Sequence, residues 1–156
     1  MRPKSWPVGF LLLNLLGCQT GEPEIVVTPQ GFTGYVLVVF NQPTGRPPRY
    51  AGRQRVYEVP ASGVLKTQFA PNYGWTGIPQ FFQGTRAATR RLPTCLTLAQ
   101  VPADAVVGLP GASATVKREP TREERLEWRE FYVGNHATIV RAQAQAESLN
   151  VLRLVN

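Results

Sequence analysis

The strongest constraint on the fold of this chain is the segment of residues 34–41, which reads Gly-Tyr-Val-Leu-Val-Val-Phe-Asn. Apolar side chains occupy both of its alternating positions, so a strand formed here has two faces to bury. We therefore expect a strand in the middle of a sheet, covered by packed layers on both sides.

Shorter strand candidates surround this segment at a spacing that is typical of a sandwich or a barrel. Residues 24–28 are rich in β-branched side chains, and residues 54–59 and 64–69 alternate in polarity on either side of a Pro-Ala-Ser-Gly turn. We expect the last two segments to pair like a hairpin. Further candidates are residues 81–82, 92–98, 105–109 and 114–117. The pattern predicts a mainly β fold, a small antiparallel β-sandwich.

The C-terminal part of the chain changes character. Thr121 and Glu124 have the spacing of a capping box, which opens a helix. Residues 128–133 fit either a helical arc or a strand, and we interpret them as a strand that follows one helical turn. Residues 136–149 are rich in Ala and Gln, which favour helix, and place their apolar side chains along one side. We expect a C-terminal helix docked on the sheet.

The N-terminal segment resembles the signal peptide of a bacterial lipoprotein precursor. Arg2 and Lys4 give the segment a basic start, and residues 8–16 form an apolar stretch that is too short to span a bilayer. The sequence Leu-Leu-Gly-Cys that ends at Cys18 is similar to a lipobox. The resemblance implies that the Cys18 thiol receives a diacylglycerol and that cleavage leaves Cys18 as the N-terminus. Gln19, which is not Asp, implies the outer membrane in a Gram-negative host.

These features divide the chain into three expected regions. Residues 1–17 are a lipoprotein signal peptide, and residues 18–24 are the lipidated N-terminus with a short polar tether. Residues 25–156 form a single β-rich domain with a C-terminal helix. The tether is expected to be flexible because it contains Gly and Pro among polar side chains.

Part of the body resembles a known family of domains. The motif Gly31-Phe-Thr-Gly34, the apolar strand that follows it, and residues 45–50 and 57–67 resemble a family of small bacterial lipoprotein domains of unknown function. The same stretch is similar, more weakly, to the prealbumin-like sandwiches that include carboxypeptidase regulatory domains. The resemblance implies a prealbumin-like fold and no particular activity, because function must be argued from a site.

The net charge bears on possible partners. Without residues 1–17, which contain Arg2 and Lys4, the charge falls from +7 to +5. An excess of this size fits an anionic surface, such as lipid head groups or wall polymers, or no special partner at all. Export from the cytosol argues against nucleic acid as a partner. The membrane, reached through the N-terminal lipid, is the expected partner, with an envelope protein, a wall polymer or anionic lipid as further candidates.

Residues suited to catalysis are scarce. After Cys18 the chain has one other cysteine, Cys95, and one each of His and Asp, His136 and Asp104. Cys95 lies in an alternating segment that predicts a buried, inert thiol on a strand. The sequence has no cluster with metal-ligand spacing and no phosphate-binding loop, so we expect neither a metal nor a cofactor. The glutamates of residues 119–130 alternate with arginines, which is typical of a solvated face.

Two hypotheses for function remain open. The first is a non-catalytic envelope module, in which exposed aromatic and basic side chains bind a partner. The candidate surface comprises Tyr73, Trp75, Phe82, Arg86, Arg90 and Arg91. The alternative use of the aromatic rings is to cap the core of the sandwich. The second hypothesis is an envelope glycan hydrolase, with Glu58 and one of the later glutamates as a carboxylate pair.

Overall fold

Two β-sheets pack face to face in the part of the chain that this computed structural model describes, residues 20–85, 88–120 and 124–155. The first sheet has the strand order β3 (Tyr50–Ala51), β4 (Gln54–Glu58), β1 (Glu24–Thr28), β6 (Gln80–Thr85), β7 (Ala88–Leu92). The second has the order β5 (Val64–Lys66), β2 (Gly34–Val39), β9 (Arg125–Gly134), β8 (Val107–Lys117). Two helices follow, α1 (His136–Glu147) and α2 (Val151–Val155). The predicted β-sandwich with a C-terminal helix is confirmed.

The core between the sheets is built on aromatic rings. The ring of Phe131 on β9 lies 6.3 Å from the ring of Tyr57 on β4 and 5.9 Å from that of Phe81 on β6. Val36 and Val38 of β2 are fully buried in the same cluster. Burial of each such side chain contributes about 1.5–3 kcal/mol, so this layer is the main source of stability.

Strand β2 is buried on both faces, as its sequence predicts. Leu37 and Val39 point away from the inter-sheet core and pack against Val151 of α2, beside side chains of β8 and β9. Helix α1 contacts the same face of the second sheet, and its buried residues Ile139 and Ala142 contribute to a separate cluster. The outer face of the second sheet is therefore covered by helices.

The sheets are mixed, whereas the sequence analysis predicts antiparallel pairing. Strand β1 pairs in parallel with both β4 and β6, and β2 pairs in parallel with β5. The expected hairpin of residues 54–59 and 64–69 is wrong, because β4 and β5 belong to different sheets. Gly63, with φ of +78°, turns the chain across the sandwich, and its carbonyl accepts from the Leu37 N–H at 2.8 Å.

Strand β9 resolves the open choice for residues 128–133 in favour of a strand. It pairs with β2 and with β8, which joins two of the expected short strands through a β-bulge between Pro110 and Ser113. The capping-box residue Thr121 lies outside the described residues. Helix α1 begins after Asn135, whose side chain accepts from the Thr138 N–H at 3.0 Å.

Cys95 lies in a loop and not on the expected strand, since β7 ends at Leu92. Its thiol is half-buried, and its Sγ lies 3.4 Å from the carbonyl of Gln100. Its N–H donates to the Gly108 carbonyl at 2.9 Å, which ties the loop to β8. Because Cys95 is not on a strand, the alternation of polarity in its segment does not determine its burial, and the predicted full burial is wrong.

No helix within the described ranges has both the length and the apolar character needed to cross a membrane.

Candidate functional site

A buried carboxylate, Glu24, organises one end of the sandwich. Its side chain is 0% exposed and lies on the inner face of β1. Oε1 accepts from the Tyr57 hydroxyl at 2.9 Å and from Nδ2 of Asn72 at 3.0 Å. Oε2 lies 2.9 Å from Nη1 of Arg129, at an angle poor for a hydrogen bond, so this contact is mainly electrostatic. One carboxylate thus joins β1, β4, β9 and the loop that precedes β6.

Burial and the neighbouring Glu24 carboxylate raise the pKa of the Tyr57 hydroxyl far above its ordinary value of 10. Both causes disfavour the phenolate, the first by desolvation and the second by repulsion between negative charges. The Tyr57 hydroxyl therefore keeps its proton in the folded state and serves as a permanent donor to Glu24.

This raised pKa predicts a loss of stability in alkali. A folded state that holds a proton the unfolded chain releases is stabilised fully below pH 10, and this contribution falls as the pH rises further. The Tyr57 contribution is expected to fall by about 1.4 kcal/mol per pH unit above pH 10. Urea unfolding across this range should show a shallower decline for Tyr57→Phe than for the wild type. Equal slopes would contradict the prediction.

The N-terminal segment, expected to be a tether as far as residue 24, is instead part of the folded body from Gly21 onward. The Asn72 side chain accepts from the Glu22 N–H at 3.0 Å and donates to the Glu22 carbonyl at 2.8 Å. A methyl group on Gly21 would lie only 2.6 Å from Cγ2 of Thr76, so this backbone packs closely on the loop. Glu22 also forms an ion pair with Arg55. These contacts order the segment despite its tether-like composition.

A cleft of about 350 Å³ opens between this loop and the β8–β9 ribbon. Tyr73 lies on one wall, and Arg125, Glu127 and Arg129 project from the inner face of β9 on the other. The Tyr73 hydroxyl donates to Oε2 of Glu127 at 2.6 Å, and this hydrogen bond is the main cause that raises the pKa of Tyr73. The cleft combines an aromatic ring with two guanidinium groups and one carboxylate.

The loop of residues 70–79 presents its aromatic rings to solvent. Trp75 is 74% exposed, Tyr73 65% and Ile78 56%, the highest values for large apolar side chains among the described residues. The alternative that these rings cap the core does not hold for Tyr73 and Trp75. Phe81, by contrast, is a core residue.

The other predicted surface residues lie on strands β6 and β7. Phe82 is half-buried on the outer face of the first sheet, beside Ile25 and Val27, and Arg91 lies opposite it in the strand pairing. Arg90 donates to Oε1 of Gln83 at 3.2 Å. Arg86 lies outside the described residues. The structure brings Tyr73 and Trp75 together in one loop, and Phe82 together with Arg91, but no single cleft collects the whole set.

Sequence reasoning missed the side chains of β9. Residues 119–130 were interpreted as a solvated face, but Arg129 is largely buried, and Glu130 accepts from the Trp128 indole at 3.0 Å and the Tyr132 hydroxyl at 2.8 Å. The signal was the aromatic residues interleaved with these charges. On one face of β9, Trp128 and Tyr132 donate hydrogen bonds to Glu130, and on the other face Arg129 pairs with Glu24. Composition alone predicts that these charged groups are hydrated.

The described residues do not bring a glutamate pair together around Glu58. This carboxylate forms an ion pair with Arg49, and the two clefts that it lines contain no second acidic side chain among the residues the structure describes. Glu130 lies on the outer face of the other sheet. Within the same ranges, no three His, Cys, Asp or Glu side chains are grouped so that they could hold a metal ion.

Comparison with known families places this architecture. The model of a family of unknown function, DUF6843, matches residues 20–97, which are half of the 156-residue chain. The chain belongs to this family. The matched segment contains strands β1 to β7 and the loop of residues 70–79. It also contains Glu24 and its two hydrogen-bond donors, Tyr57 and Asn72. Arg129, which forms the ion pair with Glu24, lies outside the matched segment.

One solved structure shares the fold. A protein from Bacillus anthracis described as a "putative lipoprotein" aligns with a TM-score of 0.54 and 13% sequence identity, over 74% of this chain and 71% of that chain. At this level of identity the likeness concerns the fold alone. No curated protein sequence matches the chain.

Proposed function

We propose that this chain is a lipid-anchored module of the bacterial cell envelope that binds a partner and catalyses no reaction. The observation that carries the proposal is the loop of residues 70–79, which exposes Tyr73 and Trp75 to solvent and is tied to the fold by hydrogen bonds from Asn72 to Glu24 and from Tyr73 to Glu127. Exposed aromatic rings are suited to binding, because each side chain presents a large contact area and has few rotatable bonds to order.

The charged side chains around the loop support binding over catalysis. Glu24 is paired with Arg129, Glu22 with Arg55, and Glu127 accepts from Tyr73. Each of these carboxylates is engaged in holding the loop or the N-terminal segment in place. A carboxylate that acts on a glycosidic bond needs a second one within about 10 Å across the substrate. The two clefts that Glu58 lines contain no second acidic side chain among the described residues.

The lipid anchor rests on the N-terminal sequence. Cys18 follows a short basic start and an apolar stretch, in the arrangement of a lipoprotein precursor. Two or more acyl chains on Cys18, palmitate among them, give stable attachment where one chain gives only marginal binding. The fold neighbour from Bacillus anthracis, described as a lipoprotein, is in keeping with this assignment. In a Gram-negative host, Gln19 favours the outer membrane, facing the periplasm.

Labelling with palmitate in cells tests the anchor. Wild-type protein should incorporate labelled palmitate and sediment with membranes, whereas Cys18→Ser should remain unlabelled and lose its membrane association. Cys95→Ser is the matched control, since its thiol is half-buried in a loop of the folded body and should not affect labelling. Labelled Cys18→Ser protein, or unlabelled wild type, would contradict the anchor.

Incubation with isolated cell-wall sacculi tests the absence of catalysis. Purified wild-type protein should release no soluble glycan fragments. Release by the wild type that is lost in Glu58→Gln would overturn the binding proposal in favour of a hydrolase.

A further inference from the structure

The N-terminal segment joins the fold at the end of the sandwich where the exposed aromatic loop lies. Strands β1, β4 and β6 run parallel, so all three begin at the same end of the sandwich. Residues 21–23 lead into β1 at this end, and the loop of residues 70–79 leads into β6 at the same end. Asn72 then bonds both backbone groups of Glu22, which fixes the segment on the loop.

The covalent chain leaves little distance between Cys18 and this loop. Three residue steps separate Cys18 from Gly21, and an extended chain spans at most about 3.6 Å per residue, so the separation is at most about 11 Å. Gly21 in turn packs against Thr76 and the backbone of Tyr73. A lipid on Cys18 would therefore bring the bilayer surface within reach of the side chains next to Thr76.

The exposed side chains at this end of the sandwich are of the types found where a bilayer meets water. Trp and Tyr are enriched where bilayer and water meet, because each ring has an apolar body and a polar group. Trp75 and Tyr73 are the two most exposed large aromatic side chains of the described residues, and the apolar Ile78 lies in the same loop. Two arginines near the loop are paired internally, Arg55 with Glu22 and Arg129 with Glu24.

We infer that the loop of residues 73–78 is a bilayer-contacting surface, which inserts Trp75 and Tyr73 among the lipid head groups and orients the domain on its own anchor. This inference rests on the proposed lipid at Cys18 and names the bilayer as the partner of the exposed loop. A protein held by the anchor and the loop together has one end at the membrane. Helix α1 begins directly after β9 ends at Gly134, so its first turns, which include Val140, then lie at the end of the domain away from the bilayer.

Fluorescence quenching by brominated phosphatidylcholine tests this orientation. Lipidated full-length protein carrying Trp128→Phe, in which Trp75 is the remaining indole after signal cleavage, is reconstituted into vesicles with and without bromine on the acyl chains. We expect the bromines to remove most of the Trp75 emission, and the emission maximum to shift to the blue relative to detergent-free soluble Cys18→Ser protein. The quenching should persist at high salt, because the contact is made by aromatic rings.

The matched control moves the indole to α1. In Trp75→Phe/Trp128→Phe/Val140→Trp the indole replaces an exposed apolar side chain on α1, and its emission should be little quenched. A comparison of wild type with Trp75→Phe gives the same information with Trp128 intact, should Trp128→Phe disturb the fold. Equal quenching at positions 75 and 140 would overturn the inference, since it would mean free tumbling on a tether.

Flotation of the vesicles separates failure of this inference from failure of the anchor. Protein that floats with the vesicles while Trp75 stays unquenched overturns the bilayer contact and leaves the anchor intact. Protein that carries no lipid and does not float overturns both. Quenching that disappears at high salt also overturns the inference, because it would assign the contact to charges.

Discussion

Glu24→Gln is expected to lower the free energy of unfolding by about 3–5 kcal/mol, the cost of leaving one partner of a buried ion pair uncompensated. The amide keeps the size of the carboxylate and still offers an oxygen to Tyr57 and Asn72. Its NH₂ group, however, would face the Arg129 guanidinium, which is largely buried. Because domains of this size are stable by about 5–15 kcal/mol, urea unfolding should show a large shift of the midpoint.

Two comparisons make this prediction specific to the ion pair. Glu147→Gln, on the exposed side of α1, should change the free energy of unfolding by no more than about 0.5 kcal/mol. Arg129→Met should be as damaging as Glu24→Gln, but the double variant should be more stable than either single variant, because no unpaired charge remains buried. Additive effects of the two substitutions would show that the pair contributes no coupling.

The sequence predicts the strands of this fold better than their pairing. Strand β1 was predicted with its observed bounds from a β-branched run, and β2 was correctly predicted to be buried on both faces. Alternation of polarity, however, reveals only which face of a strand is buried. Tyr57 on β4 and Leu65 on β5 both point into the core from opposite sheets, and their pattern is the one that a hairpin within one sheet would show. The parallel pairing therefore had no local signal.

The candidate site was only half predictable for a related reason. The exposure of Tyr73 and Trp75 could be anticipated, because their segment is rich in turn residues. Glu24 could not be recognised as a buried charge, since it follows polar residues that resemble a tether. Its burial depends on Arg129, which lies far along the chain on another sheet. A contact between distant segments of one sequence leaves no pattern in either segment.

Gly108→Ala is expected to destabilise the fold by about 1–3 kcal/mol, or more, through overpacking. A methyl group on Gly108 would overlap the ring carbons of Phe81, which is buried on β6. The Phe81 ring has little room to retreat, because it packs edge-to-face against Phe131 at 5.9 Å. Thermal unfolding should therefore show a lowered midpoint, whereas Ser113→Ala, at an exposed position on the same strand, should have little effect.

A smaller side chain at position 81 should relieve this overlap. Phe81→Leu alone leaves a cavity beside Phe131 and costs stability, but it also provides space for the methyl group of Gly108→Ala. The double variant should therefore be more stable than the sum of the two single effects predicts. Strict additivity would mean that β8 shifts away from β6 as a unit. In that case the hydrogen bond from the Cys95 N–H to the Gly108 carbonyl should break, and the Cys95 thiol should react faster with a thiol reagent.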